Sequence, residues 1–287
     1  MRRLNLPDAL TIVFISLILL MVILLYHRFP HGWQLLTGFS LLLLLALFIS
    51  EAGRRWRDIN TVRVLCDFSP VFFILVIFEL LGWITPYVRL DVDDLLIKID
   101  MAVFGVHPTV GLEQFFIPWF ADILALAYVS YYFIPLILIV FLYFEGKEEE
   151  FSLTVATLLL GYYLCFIAYI AMPAIGPRFT LASLQRVPLE GGFILNSVIN
   201  TLNALEGNQR DCFPSGHTQT VLISLWFAFR YKRRLFWVYL PVTIALIFST
   251  VYLRYHYAID IIAGIAYAGM TVLLGAWLWR WRAEYKR

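Results

Sequence analysis

Long apolar runs separated by short polar segments form the pattern of the chain from end to end. A helix needs about 20 consecutive apolar residues to cross the hydrocarbon core of a bilayer. Runs that approach or reach that length lie at residues 9–26, 33–50, 69–86, 119–144, 152–173, 216–230, 235–253 and 258–279. The pattern therefore predicts an all-α fold, a polytopic transmembrane helical bundle of about eight spans, of which the sixth is the shortest.

Composition supports a membrane protein and argues against other classes. Apolar residues make up 61% of the 287 residues and charged residues 15%, against roughly 45 to 50% and 25% in soluble domains. So many spans leave little chain for anything else, which predicts one integral membrane domain over residues 1–287. The formal net charge of +2 and the scatter of basic residues among short loops disfavour nucleic-acid binding.

Basic residues predict which side of the membrane holds the chain ends. Eight spans place both termini on one side, and the segments on that side carry 15 of the 22 Lys and Arg residues. These are Arg2, Arg3, Arg54, Arg55, Arg57, Arg63, Lys147, Arg230, Lys232, Arg233, Arg234, Arg280, Arg282, Lys286 and Arg287. Because cytoplasmic loops are enriched in Lys and Arg, we expect a multi-pass protein of the cell membrane with both termini in the cytoplasm.

Two long loops, 87–118 and 174–215, then fall on the extracytoplasmic side. In the first loop, Leu95 and Val103 are interspersed with Asp93 and Asp100 at spacings typical of an amphipathic helix in the membrane interface. Such a helix could form a lid or collar over a site, or it could only complete the bundle. The pattern allows both.

Polar motifs lie at the predicted extracytoplasmic ends of three spans. His256 and Asp260 are four residues apart, so on a helix the carboxylate can accept the ring N–H and fix the tautomer of the imidazole. Residues 215–217, Ser-Gly-His, open the sixth span, and residues 173–178, Pro-Ala-Ile-Gly-Pro-Arg, leave the fifth. Ionisable groups are costly to desolvate at such places. We therefore expect the three motifs to converge on one extracytoplasmic site.

Two histidines, a carboxylate and arginines suit the transfer of a phosphoryl group. A histidine nitrogen can act as the nucleophile, and the planar guanidinium of Arg178 or Arg254 can bind phosphate oxygens in pairs. Backbone N–H groups at Gly216 and the helix dipole favour the same anion. Plainer interpretations stand beside these. Arg178 can anchor a lipid headgroup, Arg254 can snorkel to the interface, and Ser215 can be a helix N-cap.

A metal site is disfavoured by the ligands at hand. It needs three or four converging ligands, and only His217, His256 and Asp260 are available, with Asp260 better used to orient His256. The three cysteines fall at different predicted depths, so neither a disulfide nor a Cys-based metal site is indicated, and we interpret them as packing residues. No metal and no cofactor are therefore predicted.

The run 214–217, Pro-Ser-Gly-His, followed by His256-x3-Asp260 resembles the type 2 phosphatidic acid phosphatase superfamily of integral membrane lipid phosphatases. Both signatures occur in the family's order, at span mouths on one face. The resemblance implies a six-helix core with His256 as nucleophile, Asp260 as its orienting partner and His217 as the acid that protonates the leaving alkoxide. The phosphate ligands that it implies are Ser215, Gly216 and Arg178.

Two departures from the family's pattern leave the acceptor of the phosphoryl group open. The family's first motif is Lys-x6-Arg-Pro, whereas Ala171 stands at the lysine position and Phe179 follows Arg178. Its third motif begins Ser-Arg, whereas Thr250 stands at the arginine position. Arg254 comes one helical turn after Thr250 if the seventh span stays helical, and from there it could reach the same anion.

Three functions follow as hypotheses. The resemblance implies a metal-independent lipid phosphatase that acts on a phosphomonoester or diphosphate through a phosphohistidine. The stretch 99–108, Ile-Asp-Met-Ala-Val-Phe-Gly-Val-His-Pro, also resembles a loop of the inositol phosphorylceramide synthase branch, which implies transfer of a phosphoalcohol to a lipid alcohol. A non-catalytic lipid-binding or transport protein would use the same residues as a headgroup pocket. The expected partners are a lipid phosphate and the membrane, and the oligomeric state is left open.

Overall fold

A computed structural model of the chain describes residues 4–189, 191–205 and 208–284. Helices dominate it, and no strand occurs in those residues, so the predicted all-α class is confirmed. The α-helices, in chain order, are α1 (Leu6–Leu24), α2 (Gly32–Arg55), α3 (Asn60–Leu81), α4 (Thr85–Val88), α5 (Asp93–Phe104), α6 (Pro108–Gly111), α7 (Pro118–Phe144), α8 (Glu148–Ala171), α9 (Pro177–Thr180), α10 (Phe193–Leu205), α11 (Gly216–Tyr231), α12 (Arg233–Tyr252) and α13 (Ala258–Glu284). Short 3-10 helices lie at Tyr26–Arg28, Leu112–Phe115 and Ala182–Leu184.

Within the described ranges, 7 helices are long and apolar enough to cross a membrane, namely α1, α2, α3, α7, α8, α12 and α13. The predicted sixth span is α11, which has 16 residues and extends about 24 Å at 1.5 Å per residue. A further candidate is the pair Asp93–Phe104 and Pro108–Phe115, whose axes are bent by 63°. The multi-pass bundle is thus confirmed, whereas the side on which the termini lie stays a prediction.

The third span begins earlier than the apolar pattern predicted. The expected start was residue 69, but α3 begins at Asn60. Its first turns carry Arg63 and Asp67, whose charges ended the apolar run. The carboxylate of Asp67 lies 3.0 Å from the guanidinium of Arg57 and 3.9 Å from that of Arg63. Because these charges are paired, the helix can extend beyond its apolar stretch.

Helix α8 lies at the centre of the bundle. In the most apolar 18-residue stretch of α8, 72% is buried inside the protein, against 22 to 39% in the corresponding stretches of the other long spans. It packs against α1, α3, α7, α11 and α13, and α11 packs in turn against α7, α12 and α13. The N–H of Ser215 donates to the carbonyl oxygen of Asp260 at 3.1 Å. The first residues of α11 and α13 therefore meet at one end of the bundle.

Residues 87–118, predicted to be a long loop, contain helix α5. Its inner face buries Asp93 and Asp100, while Leu95 and Val103 on other faces are 48% and 57% exposed. The amphipathic helix thus has two carboxylates turned toward the protein and part of its apolar surface turned away. Its location in the membrane interface stays a prediction.

The second predicted loop, 174–215, contains helix α10, which packs against α7. The carboxylate of Asp122 on α7 accepts the N–H of Leu195 at 2.8 Å, in the first turn of α10. Asp122 therefore stabilises a helix start, where backbone N–H groups lack intrahelical partners.

Candidate active site

Two histidine rings face each other where the motifs meet. Nε2 of His256 lies 3.3 Å from Nδ1 of His217. The two residues are only 3% and 9% exposed. His217 is the second residue of α11, and His256 lies in the short segment between α12 and α13. A reacting group that enters between the rings would therefore have an imidazole on either side.

Two acceptors hold Nδ1 of His256. The backbone carbonyl oxygen of Cys212 lies 2.8 Å from it, and Oδ2 of Asp260 lies 3.3 Å from it. Because a carbonyl oxygen only accepts, the proton of the neutral ring lies on Nδ1, and Nε2 presents its lone pair toward His217. The structure brings His256 and Asp260 together as predicted. The shorter hydrogen bond, however, goes to a backbone carbonyl that no sequence pattern indicated.

Asp260 is fully buried and connects three segments of the site. Its Oδ2 accepts the N–H of Tyr257 at 2.8 Å and faces Sγ of Cys212 at 3.0 Å. Burial, together with the charge of Asp260, raises the pKa of the Cys212 thiol well above its ordinary value, so the thiol keeps its proton and donates it to the carboxylate. The interpretation of Cys212 as a mere packing residue was wrong, since its carbonyl and its thiol both contact the site.

Ser215 and Gly216 shape the start of α11. The hydroxyl of Ser215 accepts the N–H of Thr218 at 3.2 Å, which is the geometry of an N-cap. A side chain on Gly216 would collide with the hydroxyl of Tyr169, so glycine is required here for close packing against α8. The capped end of the helix is also where an anion would find backbone N–H groups.

Two tyrosines of α7 flank the ring of His217. The ring centroids of Tyr128 and Tyr131 lie 4.6 and 4.3 Å from that of the imidazole. Tyr128 also stacks on Tyr255, with centroids 4.5 Å apart. Nε2 of His217 is buried and has no hydrogen-bond partner in the part of the chain that the structure describes. Aromatic contacts therefore fix this ring, with Nδ1 directed at His256.

Residues 173–178 reach the site through backbone contacts. The N–H of Cys212 donates to the carbonyl oxygen of Ala174 at 3.2 Å. Gly176 has φ of +92°, and a Cβ there would lie 3.0 Å from the carbonyl oxygen of Tyr255. This turn directs Arg178 toward the same region, where its guanidinium lies 5.7 Å from the centroid of the Tyr255 ring. The three motifs predicted to converge therefore lie together.

Arg178 and Arg254 line one cavity of about 440 Å³. Its other walls are amide and aliphatic side chains, namely Gln185, Leu189, Asn196, Ile199 and Asn200. The structure thus brings the two predicted anion-binding cations to one polar cavity.

Arg254 lies at this cavity because of a backbone conformation that the sequence did not indicate. Helix α12 ends at Tyr252 and Arg254 has φ of +65°, so the assumption that the seventh span stays helical through this residue is wrong. Its guanidinium lies 3.1 Å from the carboxylate of Glu113 and donates to Gln185 Oε1 at 3.0 Å and to the Val187 carbonyl oxygen at 2.7 Å. Burial lowers the pKa of Arg254, an effect that Glu113 opposes. Much of this charge is therefore already balanced.

Comparison with known proteins assigns the family. The family profile described as "PAP2 superfamily" matches residues 96–274, more than half of the chain. The chain belongs to the PAP2 superfamily. The matched range contains both histidines, Asp260 and Arg178, whereas α1, α2 and α3 lie outside it.

A PA-phosphatase related-family protein of Dictyostelium discoideum is 24% identical over 221 residues, which cover 68% of this chain and 37% of that protein. The chain thus spans little more than a third of the length of this curated relative. No solved structure matches the chain.

At two positions where the PAP2 pattern has a cation, this chain has Thr250 and Ala171, and the backbone carbonyl of each accepts hydrogen bonds. The carbonyl oxygen of Thr250 accepts the N–H groups of Tyr255 and His256 at 2.9 and 3.0 Å, which closes the turn that holds His256. The carbonyl oxygen of Ala171 accepts a hydrogen bond from the guanidinium of Arg89 at 3.1 Å. A cation from another segment therefore lies beside position 171.

Three possible metal ligands lie close together, but they differ from the set considered from the sequence. Atoms of Cys212, His256 and Asp260 all lie within 4.8 Å of one another, so Cys212 takes the place of His217. A thiolate, an imidazole and a carboxylate are ligands that zinc accepts. Metal binding here would displace the contacts of His256 Nδ1 with the Cys212 carbonyl and of the Cys212 thiol with Asp260. The geometry therefore favours a hydrogen-bonded triad.

Proposed function

We propose that this PAP2 protein is a membrane lipid phosphatase that hydrolyses a lipid phosphomonoester or diphosphate through a phosphohistidine on His256. One observation carries the proposal. The buried Nε2 of His256 lies 3.3 Å from His217, while Nδ1 on the other side of the same ring is held by a carbonyl and a carboxylate. Family membership supports a reaction of the phosphatase type.

In the first step, the lone pair on Nε2 of His256 attacks phosphorus, and the bond from phosphorus to the ester oxygen breaks. The leaving alkoxide takes a proton from the imidazolium form of His217, which is left as a neutral imidazole. The hydrogen bonds from Nδ1 to the Cys212 carbonyl and to Asp260 stabilise the positive charge that develops on the His256 ring.

In the second step, water attacks the phosphorus atom of the phosphohistidine. His217 accepts a proton from that water, the bond from phosphorus to Nε2 breaks, and His256 leaves as a neutral imidazole. The same residue thus serves as acid and then as base. No step needs a metal, and metal independence is part of the proposal.

The phosphate oxygens would be bound by the start of α11 and by the arginine cavity. Gly216 offers a backbone N–H at the start of a helix, Ser215 offers its hydroxyl, and Arg178 offers a planar guanidinium. Glu113 lies 3.1 Å from the guanidinium of Arg254 and already balances part of its charge, which limits what Arg254 can contribute.

An apolar groove that ends at His217 supports a lipid as substrate. Two cavities of about 90 and 110 Å³ share the lining residues Ile74, Leu75, Tyr132 and Tyr162, and so lie side by side between α3, α7 and α8, where together they would make up the groove. The smaller cavity reaches Gly216 and His217. A hydrocarbon chain in this groove would place its phosphate at the histidines.

The second candidate function is phosphoalcohol transfer to a lipid alcohol. The cavity beside Arg178 favours it, because its Asn196 and Asn200 amides can both donate to and accept from hydroxyl groups. A polar acceptor there would take the place of water in the second step.

The reaction can be tested with purified protein in detergent, excess chelator and ¹⁸O-labelled water. Phosphatidate, phosphatidylglycerol phosphate and a polyprenyl diphosphate are offered as substrates, with His256→Ala as the control. Hydrolysis predicts free phosphate that contains the label, formed by the wild type and not by the variant. A new phospholipid that forms only when ceramide or diacylglycerol is added would establish the transferase. Lipid binding with equal, background turnover in both proteins would indicate a non-catalytic lipid-binding protein.

A further inference from the structure

Helix α5 carries two buried carboxylates that lie outside the histidine and arginine motifs. Asp93 is 5% exposed and Asp100 is 2% exposed. They are two helical turns apart on one face of the helix. Burying a carboxylate is costly unless hydrogen-bond donors surround it. The donors around both residues come from the segments that carry the candidate catalytic and phosphate-binding residues.

Asp100 accepts the first backbone N–H groups of α13. The N–H of Ala258 lies 3.0 Å from its Oδ2, and that of Ile259 lies 2.8 Å from its Oδ1. These groups have no partner within their own helix, so the carboxylate caps α13 from another segment. The capped turn lies between His256 and Asp260. The relative position of nucleophile and orienting carboxylate therefore depends on a residue of α5.

Asp93 connects the arginine segment, residues 173–178, to Tyr257, which follows His256 in the chain. The N–H groups of Ile175 and Gly176 donate to it at 3.0 and 2.8 Å, just before Arg178 in the chain. The hydroxyl of Tyr257 donates to the same carboxylate at 2.8 Å. One carboxylate thus fixes the spacing between the phosphate-binding segment and the segment that carries His256.

We propose that Asp93 and Asp100 are positioning residues of the phosphoryl-transfer site, and that α5 is a rigid brace rather than a helix that only completes the bundle. The proposal rests on the proposed function. Asp100 fixes the geometry of the nucleophile, so its loss affects the chemical step. Asp93 fixes the arginine segment, so its loss affects mainly the binding of phosphate. The two residues are thus separable by experiment.

The experiment compares Asp93→Ala, Asp100→Ala and the two Asn variants with the wild type, in full-length purified protein. Asp94→Ala is the matched control, because Asp94 is exposed on the same helix. Loss of a residue that orients a reacting group typically lowers activity about 10- to 100-fold. We expect such a drop in kcat for Asp100→Ala with KM nearly unchanged. For Asp93→Ala we expect KM for the lipid phosphate to rise about 10-fold with a smaller change in kcat.

The Asn variants separate positioning from folding. The N–H groups of Ala258 and Ile259 donate to different oxygens of Asp100, and asparagine has an oxygen at only one of these two places, so Asp100→Asn should recover part of kcat. Thermal unfolding of each variant gives its folded fraction, to which kcat is normalised. Normalised kcat and KM within about twofold of wild type for both Ala variants would overturn the proposal. The proposal would also be overturned if the losses of activity vanish on normalisation, or if both Ala variants change kcat and KM to the same extent.

Failure of the proposed function looks different, because the wild type itself would release no phosphate from any substrate. The brace is then tested by the binding of inorganic phosphate, measured calorimetrically. Asp93→Ala should weaken that binding about 10-fold, whereas Asp100→Ala and Asp94→Ala should not. Equal affinity in all three variants would show that Asp93 does not position the arginine segment.

Discussion

Nδ1 of His217 lies 3.3 Å from Nε2 of His256, and both rings are buried. At this distance two lone pairs would repel, so one proton lies between the rings. Because the His256 proton is held on Nδ1 by the Cys212 carbonyl, this second proton belongs to His217. In the absence of substrate, the proposed acid therefore already points at the atom that would attack phosphorus.

The loss of activity on replacing His217 should depend on how basic the leaving group is. His217→Asn should lower kcat about 10²- to 10⁴-fold with a lipid phosphomonoester, whose alkoxide must be protonated. The loss should be much smaller with an aryl phosphate, whose phenolate leaves without a proton. Rapid-quench measurement of the first turnover with both substrates checks this. Equal losses with both substrates would mean that His217 is not the acid.

Cys212 should contribute through its thiol only moderately. Cys212→Ala removes the hydrogen bond from Sγ to Asp260 but keeps the backbone carbonyl that holds His256. A single hydrogen bond is worth about 0.5 to 1.5 kcal/mol, or up to about 3 with a charged partner, which predicts a loss of kcat between about 2-fold and about 160-fold. Cys212→Ser keeps a donor and should lie closer to wild type. Steady-state assays of both variants test this, and a Ser variant worse than the Ala variant would contradict it.

The proposed groove can be tested by filling it. Ile74→Trp would obstruct the groove between α3, α7 and α8, so KM for a long-chain phosphate should rise about 10-fold, while a short water-soluble phosphate should be hydrolysed normally. Leu65→Trp, on the same helix at a position 67% exposed and outside the groove, is the control. Equal effects of Ile74→Trp on both substrates would show that the lipid chain lies elsewhere.

The sequence indicated the spans well because apolar runs and transmembrane helices share one physical cause. It failed where charges are paired across segments. Asp67 ended the apolar run of α3, yet the helix continues past it because Arg57 neutralises the carboxylate. The orientation of α5 was also beyond a local pattern, since the inward carboxylate of Asp100 meets backbone donors 158 and 159 residues away.

The same distinction applies to the site. The sequence paired His256 with Asp260 by helical spacing. The pair forms although His256 lies outside the helix, which begins at Ala258, because only three residues separate the two. The position of Arg254 could not be predicted from the sequence, because its left-handed backbone conformation takes it out of the helical register. Cys212 was missed because a backbone carbonyl leaves no trace in a pattern of side chains.

Asp211 should make stability depend on pH. Desolvation raises its pKa from 3.8 to about 6, opposed by His256. As pH rises from about 4 to about 6, the unfolded chain releases this proton while the folded protein retains it, so the free energy of unfolding falls through that window. Asp211→Asn should therefore raise Tm by a few degrees at pH 7 and change it little at pH 4.

Thermal unfolding in detergent at both pH values measures this, with Asp94→Asn as the control for an exposed carboxylate. A variant that follows the wild type in parallel at both pH values would show that the pKa of Asp211 is not raised.

During turnover, phosphorus should become covalently bound to Nε2 of His256. Trapping this phosphohistidine is the test. Wild type, His256→Ala and His217→Asn are mixed with a lipid phosphate labelled with ³²P, quenched in alkali within the first turnover and digested for peptide mapping. We expect a labelled peptide that contains residue 256, stable in alkali and labile in acid, from the wild type and not from His256→Ala. Full turnover without such an adduct, or label on any other residue, would contradict this expectation.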